Sequence, residues 1–285
     1  MKKILVPTDF SPQATAALNF AVQIARKQNA EVLLYHVIES YLTTVHYMSG
    51  LVETTQSAEE SAFMLALGIQ AKQKLAVVAA DEKYAGVTIT CYIQEGNFYK
   101  NIAEKIADKE VDLIVMGSHG TNAEHYAGSN ADKVVRFAHC PVITVKSEMN
   151  LEDIKHVVFA TSLEEENDKV GGYLADFVAV VGAKLHILRV NHPGHVMPQR
   201  EVHTKGKVMA DRNYLKDYEI NTYADSSIED GILHFAEDNH IEMIMLATHS
   251  RSGISRILHR GGSVAEGLVT HSNMLVWTCS LTNAK

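Results

Sequence analysis

The chain has 285 residues, of which 46% are hydrophobic and 21% are charged, and its formal net charge is −8. This length suits two domains, and this composition is typical of a soluble globular protein. An acidic chain lacks the basic face that sequence-independent nucleic-acid binding requires, so we expect no nucleic-acid partner.

The cysteines and the amino terminus bear on the compartment. Cys91, Cys140 and Cys279 are widely spaced, which excludes a disulfide framework and a CxxC metal pair and favours a reducing environment. The first apolar strand ends at Pro7 and is too short for the core of a signal peptide. We also expect no apolar run long enough to span a bilayer. The sequence therefore predicts a cytoplasmic protein without a membrane partner.

In chain order, buried strands alternate with helices. Runs of Val, Ile and Leu predict first-half strands at about 3–8, 31–38, 87–94, 111–117 and 141–146. Helices are predicted between them at about 12–28, 54–82, 97–109 and 129–138. In the second half, strands are predicted at about 155–161, 184–191, 218–224, 241–247 and 274–279. The helices there are predicted at about 164–181, 199–214, 227–239 and 262–271.

The two halves are copies of one pattern. Subtracting 153 aligns Ala160-Thr161-Ser162 with Pro7-Thr8-Asp9, and subtracting 130 aligns the later parts, so the second middle segment is 23 residues shorter (153 − 130). A repeat of this length indicates tandem domains rather than a solenoid. We place the domains at 1–148 and 151–285.

The alternation predicts an α/β fold with two tandem doubly wound, Rossmann-like domains. Each would be a five-stranded parallel sheet of order 3-2-1-4-5, flanked by helices. We expect the domains to pack as an intramolecular pseudo-dimer with two separate sheets rather than one continuous sheet. Contact is expected through the last strands, 142–145 and 275–278, whose edges would otherwise be open.

Ligands of doubly wound sheets bind where the strand order reverses, here between strands 1 and 4. Asp9 follows strand 1, Gly117 and Gly120 follow strand 4, and Gly128-Ser129-Asn130 opens the next helix. Glycines allow close backbone approach, and a helix start favours an anion. Taken singly, Asp9 and the Gly128 segment are each explained as well by helix capping. Their joint occurrence favours a binding site in the first half.

These residues resemble the universal stress protein family, whose nucleotide-binding members carry Gly-x2-Gly-x9-Gly-(Ser/Thr) after strand 4 and an Asp after strand 1. The resemblance covers both halves, with specific stretches at 6–11, 116–120, 128–135, 140–142, 251–256 and 262–266. It implies a stress-response protein that binds ATP, with Mg²⁺ as an optional companion. It also implies that Val37 and Met116 border the adenine, with Asp9 nearby, and that the Gly128 segment meets phosphate. The full candidate set is Pro7, Asp9, Val37, Met116, Gly117, His119, Gly120, Gly128, Ser129 and Asn130.

Both halves depart from the family motif. Only seven residues, 121–127, separate Gly120 from Gly128, and they include no Lys or Arg. In the second half, Ser162 replaces the Asp, while Ala247 and Ser250 replace the loop glycines. Its longer loop, 251–261, carries three arginines that could attract an anion. We expect the first half to be the nucleotide site.

Other groups of residues give weaker indications of a site. The chain has 15 histidines, and His186, His192, His195 and His203 gather in the second half, but their spacing does not favour a structural zinc. Residues 62–78 are predicted to form a packed amphipathic helix. No catalytic residue is assigned, because no oriented third group accompanies the adjacent Ser118 and His119.

Three hypotheses of function remain open at the level of sequence. The first is an adenine-nucleotide binder with a regulatory role in stress, for which slow ATP hydrolysis stays open. The second is a stress scaffold that binds no nucleotide and acts through protein contacts. The third, an adenylyl-transfer enzyme, lacks an identifiable catalytic Lys or Arg in the first half. A homo-oligomer is compatible with each.

Overall fold

The structure is a computed structural model that describes residues 1–39, 58–118, 130–164, 168–248 and 264–280. The first half contains β1 (Lys3–Pro7), α1 (Pro12–Gln28), β2 (Glu31–Ile38), α2 (Ala58–Ala79), β3 (Ile89–Glu95), α3 (Phe98–Lys109), β4 (Leu113–Gly117), α4 (Asn130–Phe137) and β5 (Val142–Val145). The second contains β6 (His156–Ala160), α5 (Asp168–Val181), β7 (Lys184–Asn191), α6 (Gln199–Arg212), β8 (Tyr218–Ala224), α7 (Ile228–Asp238), β9 (Met243–Thr248), α8 (Val264–His271) and β10 (Leu275–Ser280). Short 3₁₀ turns at Glu82–Tyr84 and Leu151–Asp153 add to the predicted elements.

The strands follow the order β3-β2-β1-β4-β5-β10-β9-β6-β7-β8. Read from its third strand, each half has the order 3-2-1-4-5, and every pairing within a half is parallel. The predicted fold class, two tandem doubly wound domains, is confirmed. The order reverses between β1 and β4 in the first half and between β6 and β9 in the second.

The two halves join through their last strands. β5 and β10 pair antiparallel, with Trp277 opposite Ile143 and Thr278 opposite Val142. The expected contact is therefore confirmed, but the expectation of two separate sheets is wrong, because this pairing makes one ten-stranded sheet. The physical reason is that two edge strands with unpaired N–H and C=O groups satisfy each other when they meet.

Each face of the sheet carries its own apolar core. One core packs against α1, α2, α5 and α6, with Phe20 and Phe177 among its fully buried side chains. The other packs against α3, α4, α7 and α8, with Ile102 and Leu268 fully buried. Helices on both faces explain why the strands are continuous apolar runs rather than alternating ones.

Helix α2 differs from its prediction. Only 11% of its apolar window, Ser61–Ala79, is buried, and Phe63, Leu65, Ile69 and Val77 are exposed. The expectation of a packed amphipathic helix is therefore wrong, because only Ala71 and Leu75 of this window are buried and large apolar side chains are exposed to solvent. By length and composition this helix could cross a membrane, contrary to the expectation from sequence, although those two properties alone are weak evidence.

Candidate functional site

The turn after β1 is held by backbone and side-chain hydrogen bonds. The Thr8 N–H donates to the Tyr35 carbonyl of β2 at 2.8 Å. The Thr8 hydroxyl oxygen accepts from the Phe10 N–H at 3.1 Å, and Asp9 Oδ1 accepts from the Ser11 N–H at 2.9 Å. Phe10 adopts a left-handed φ of 65°, which turns the chain sharply toward α1. Asp9 thus shapes this turn while its side chain stays exposed at the switch point.

Helix α1 begins immediately after this turn. The Ser11 hydroxyl accepts from the Ala14 N–H at 3.2 Å, and Pro12 occupies the first turn, where its missing N–H costs nothing. Ser11 therefore provides the cap that the sequence offered as an alternative role for Asp9. Asp9 lies two residues before Ser11, and its carboxylate acts on the turn itself by accepting from the Ser11 N–H.

An aromatic pair and a cation lie beside the turn. The rings of Phe10 and His36 have centroids 4.6 Å apart, and His36 Nδ1–H donates to the Thr8 carbonyl at 2.7 Å. Lys74 of α2 places its ammonium 5.1 Å from the Phe10 ring centroid. A positive charge thus lies close to the end of β1. Sequence reasoning missed it because Lys74 is distant along the chain.

The end of β4 is tightly packed against α1. A Cβ added at Gly117 would lie 2.7 Å from the Gln13 carbonyl carbon and 2.8 Å from the Ala14 nitrogen. Gly117 is therefore needed for the close approach of helix backbone to strand end. The sequence predicts that this glycine allows a ligand to approach the backbone, and in the structure it allows helix α1 to do so.

Ser118 follows Gly117 at the same end of β4. Its N–H donates to the Val145 carbonyl at 2.9 Å, and only 3% of the residue is exposed. Among the described residues its hydroxyl has no hydrogen-bond partner. A buried hydroxyl at the carboxyl end of a switch-point strand is a polar group available for a ligand. The sequence motif does not single out Ser118, because burial of its hydroxyl is visible only in the folded chain.

Three candidate residues share one face of the sheet. Pro7 of β1 pairs with Tyr35 of β2. On the other neighbouring strand, β4, the register places Met116 next to Pro7. Val37 lies two residues beyond Tyr35 on the same face, where it packs against the core beneath α3 and α4. Met116 is buried and Val37 is half-buried, so Val37 offers the more accessible apolar surface for a base.

The start of α4 carries a small polar cluster. The Tyr99 hydroxyl donates to Asn130 Oδ1 at 2.7 Å, and Lys133 Nζ donates to the Tyr99 hydroxyl oxygen at 2.5 Å. The Lys133 ammonium also lies 4.3 Å from the Tyr99 ring centroid. This cluster puts a cation beside the amino-terminal end of a helix, where anions bind favourably. Lys133 was not predicted from sequence, because it lies on α4 and not in the loop of residues 121–127.

The remaining candidates, His119, Gly120, Gly128 and Ser129, lie outside the described residues, as does the arginine-bearing loop 251–261 of the second half. Within the described ranges, no group of three or more His, Cys, Asp or Glu side chains could hold a metal ion. Two histidine pairs are present there, with His156 Nδ1 3.2 Å from His186 Nε2 and the rings of His192 and His195 5.0 Å apart. The expectation of no structural zinc stays a prediction.

Comparisons with known proteins agree on one family. The sequence model of the Universal stress protein family matches residues 1–146 and again 153–279. Two universal stress proteins of Methanocaldococcus jannaschii are 35% identical over 147 residues and 33% identical over 153 residues. Each alignment covers 51% of this chain, and they cover 82% and 94% of those proteins. A universal stress protein structure from Archaeoglobus fulgidus shares the fold over 98% of both chains, with a TM-score of 0.74 and 20% identity.

Proposed function

The chain belongs to the universal stress protein family as a tandem member, and we propose that its first half binds an adenine nucleotide, ATP with Mg²⁺, in the crevice between β1 and β4. Binding would bias the choice of protein partner during stress. The proposal assigns no catalytic residue and places the protein in the cytoplasm. The domain limits, 1–148 and 151–285, remain part of the proposal.

The observation that carries the proposal is the buried Ser118 hydroxyl at the switch point, without a partner among the described residues. A buried polar group left unpaired is destabilising, so a ligand that hydrogen-bonds it recovers that free energy. The exposed carboxylate of Asp9 follows the neighbouring strand and can accept from an amino or hydroxyl group.

Charge around the crevice supports a phosphate-bearing ligand. Lys133 and Asn130 occupy the start of α4, and Lys74 lies near the end of β1. The half-buried Val37 provides an apolar surface on the adjacent strand. A nucleotide combines the apolar and anionic groups that such a crevice would bind.

Titration calorimetry with ATP and Mg²⁺ tests the proposal. We expect saturable binding to the wild type and affinity about tenfold weaker in Ser118→Ala, since a hydrogen bond to a buried hydroxyl is lost. The matched control is Thr248→Ala, because subtracting 130 aligns Thr248 with Ser118. No saturable heat at millimolar nucleotide, or equal weakening by both variants, would contradict a first-half site.

A second candidate function, a scaffold without nucleotide, is favoured by helix α2. Its exposed apolar residues, including Phe63 and Leu65, provide surface suited to protein contact. The same titration separates the two functions, because a pure scaffold gives no saturable nucleotide binding. Stoichiometric nucleotide binding would instead mean that the chain has a nucleotide site and that the exposed surface of α2 serves protein contact in addition.

A further inference from the structure

The ten-stranded sheet ends at β8, and an open groove of about 340 Å³ lies along that edge. One wall consists of His203 and Lys207 of α6, and the other consists of residues 218–221 of β8. Five strands separate β8 from β4 in the sheet. The groove is therefore distant from the proposed nucleotide crevice.

Backbone groups of β8 point alternately toward β7 and away from it, because the two strands form a regular parallel pair. The Leu185 N–H of β7 donates to the Asp217 carbonyl at 3.0 Å, which fixes the phase of this alternation. The N–H and C=O groups of Ile220 and Thr222 therefore point away from β7, and no described strand lies on that side. Free backbone groups on an edge strand are a template for one more strand.

Helix α6 is held close to β8, so the groove has a fixed wall. A Cβ added at Gly206 would lie 3.0 Å from Ile220 Cγ2, and glycine therefore lets the helix lie directly on the strand. His203 and Lys207 are one turn apart on α6 and line the groove beside this contact.

The helix side of the groove is basic. Among the residues that the structure describes, neither His203 nor Lys207 makes an ion pair. Lys205 of the same helix does not line the groove, and its ammonium pairs with Glu201 at 2.8 Å. The charge of Lys207 is therefore available to a ligand in the groove.

The strand side of the groove contains one carboxylate, that of Glu219. This carboxylate forms an ion pair with the Lys184 ammonium of β7, so its charge is compensated within the sheet. Asp211 and Asp217 lie nearby along the chain but do not line the groove. The charge that remains uncompensated in the groove lining is the positive charge of Lys207.

We propose that the edge of β8 binds an extended acidic segment of a partner protein as an eleventh strand. The segment exchanges backbone hydrogen bonds with Ile220 and Thr222, which supply affinity for any extended chain. A carboxylate on the side of the segment that faces α6 pairs with Lys207, which selects an acidic one. This binding requires no nucleotide in the first half.

A second copy of this chain fits the edge less well than an acidic segment does. Two-fold pairing of β8 with itself would bring the same surface of both copies together. His203 and Lys207 of one copy would then lie near those of the other, and like charges at close range repel. The charge of the groove therefore favours a partner of opposite charge.

Residue-resolved amide hydrogen exchange of the full chain tests the proposal with three capped peptides. The first alternates Glu and Val, the second alternates Lys and Val, and the third is the acidic peptide with every backbone nitrogen methylated. We expect the acidic peptide to slow exchange at Ile220 and Thr222 at least about fivefold, and the other two to leave it unchanged. No protection, or equal protection by the basic or the methylated peptide, would overturn the proposal. Protection without peptide that rises with protein concentration, together with dimers in analytical ultracentrifugation, would assign the edge to a second copy instead.

Two variants of α6 test the role of charge. Lys207→Gln should weaken binding of the acidic peptide about fivefold in titration calorimetry and reduce its salt dependence, because one exposed ion pair is lost. Lys205→Gln removes an equal charge from the same helix outside the groove lining and should leave peptide affinity unchanged. Both variants should bind ATP like the wild type, so a failure of this proposal is distinguishable from a failure of the nucleotide site. Equal peptide affinities in the two variants would overturn the assignment of Lys207.

Discussion

The turns that follow β1 and β6 have the same geometry but different chemistry. Thr8 and Thr161 each accept from an N–H two residues later at 3.1 Å, and Phe10 and Leu163 both adopt left-handed φ angles, 65° and 57°. Asp9 Oδ1 accepts from the Ser11 N–H at 2.9 Å. The hydroxyl of the aligned Ser162 accepts from the Glu164 N–H at 3.3 Å. The turn therefore requires an oxygen acceptor but not a carboxylate. We connect the negative charge of Asp9 with binding because the second half makes the same turn with the neutral hydroxyl of Ser162.

The ends of β4 and β9 differ in the residue that occupies the position of Gly117. Gly117 has no room for a Cβ against the backbone of Gln13 and Ala14, whereas the aligned Ala247 carries one. Helix α1 begins at Pro12, and the described part of α5 begins at Asp168, which aligns with residue 15 (168 − 153). The residues aligned with Gln13 and Ala14 lie outside the described ranges. The difference teaches that Gly117 supports the local packing of the first half.

A third difference concerns the residue that lies beside the turn on the neighbouring strand, β2 in the first half and β7 in the second. His36 donates to the Thr8 carbonyl, and the aligned position (36 + 153) holds Arg189, which is 6% exposed. Among the described residues, Arg189 Nε has no hydrogen-bond partner. The second half thus retains a buried positive charge near its own switch point, although it has lost the acid.

The largest expected effect concerns Gly117. Gly117→Val should lower the free energy of unfolding by about 3 kcal/mol, because the new side chain meets the fixed backbone of α1. Ala247→Gly should cost about 0.5–1 kcal/mol, the usual effect of glycine in a strand. Urea denaturation measures both. Equal, small effects would show that the two strand ends do not differ in packing.

The next largest effect is expected on ATP affinity when the Asp9 carboxylate is removed. Asp9→Ser copies the second half into the first and should weaken ATP binding about tenfold while preserving the turn, because the serine hydroxyl can accept the same N–H. Ser162→Ala should leave ATP affinity unchanged. Titration calorimetry provides the affinities and urea denaturation checks the turn. Unchanged affinity in Asp9→Ser would make Asp9 a turn residue only.

A smaller effect is expected for the cation on α4. Lys133→Gln should weaken ATP binding about fivefold and reduce its salt dependence, because an exposed charge near phosphate is screened by ions. Lys100→Gln, on the exposed side of α3, is the matched control and should change neither quantity. A Lys133→Gln variant with wild-type salt dependence would remove Lys133 from the site.

The fold was predictable where periodicity and aligned register act together. The order 3-2-1-4-5 followed from alternating apolar strands and helices, and the turn at Thr8-Asp9 followed from its place after a buried strand. The joining of β5 to β10 could not be decided by pattern, because open and paired edges have the same apolar runs. The contacts of Lys74 and Lys133 join distant segments, so spacing along the chain did not reveal them. For α2, an apolar composition predicted burial, but only Ala71 and Leu75 are buried between Ser61 and Ala79.

The smallest effect is a pH dependence confined to the second half. The pKa of His234 is raised, chiefly by its hydrogen bond to the Asp225 carboxylate at 2.7 Å, and the pKa of Asp225 is lowered by the same bond. Subtracting 130 aligns these residues with Glu104 and Glu95, so the first half has no such pair.

The direction of this pH dependence follows from the raised pKa of His234. Its contribution to stability is complete below its unfolded pKa of 6.5 and is lost as pH rises through the raised folded value. The melting temperature of the wild type should therefore exceed that of His234→Gln slightly at about pH 6, with the gap closing by about pH 9. His203→Gln, on α6 at the opposite face of the sheet, serves as the control. A gap that grows with pH would contradict this sign.

The asymmetry between the halves is tested most directly by counting bound nucleotides. Equilibrium dialysis of the full chain against saturating ATP with Mg²⁺ should give one nucleotide per chain for the wild type. Ser162→Asp should still give one, and Ser118→Ala combined with Asp9→Ser should reduce occupancy at the same nucleotide concentration. Two equivalent nucleotides per chain, or one that survives the double substitution and is lost in Arg189→Leu, would contradict the account and place binding in the second half.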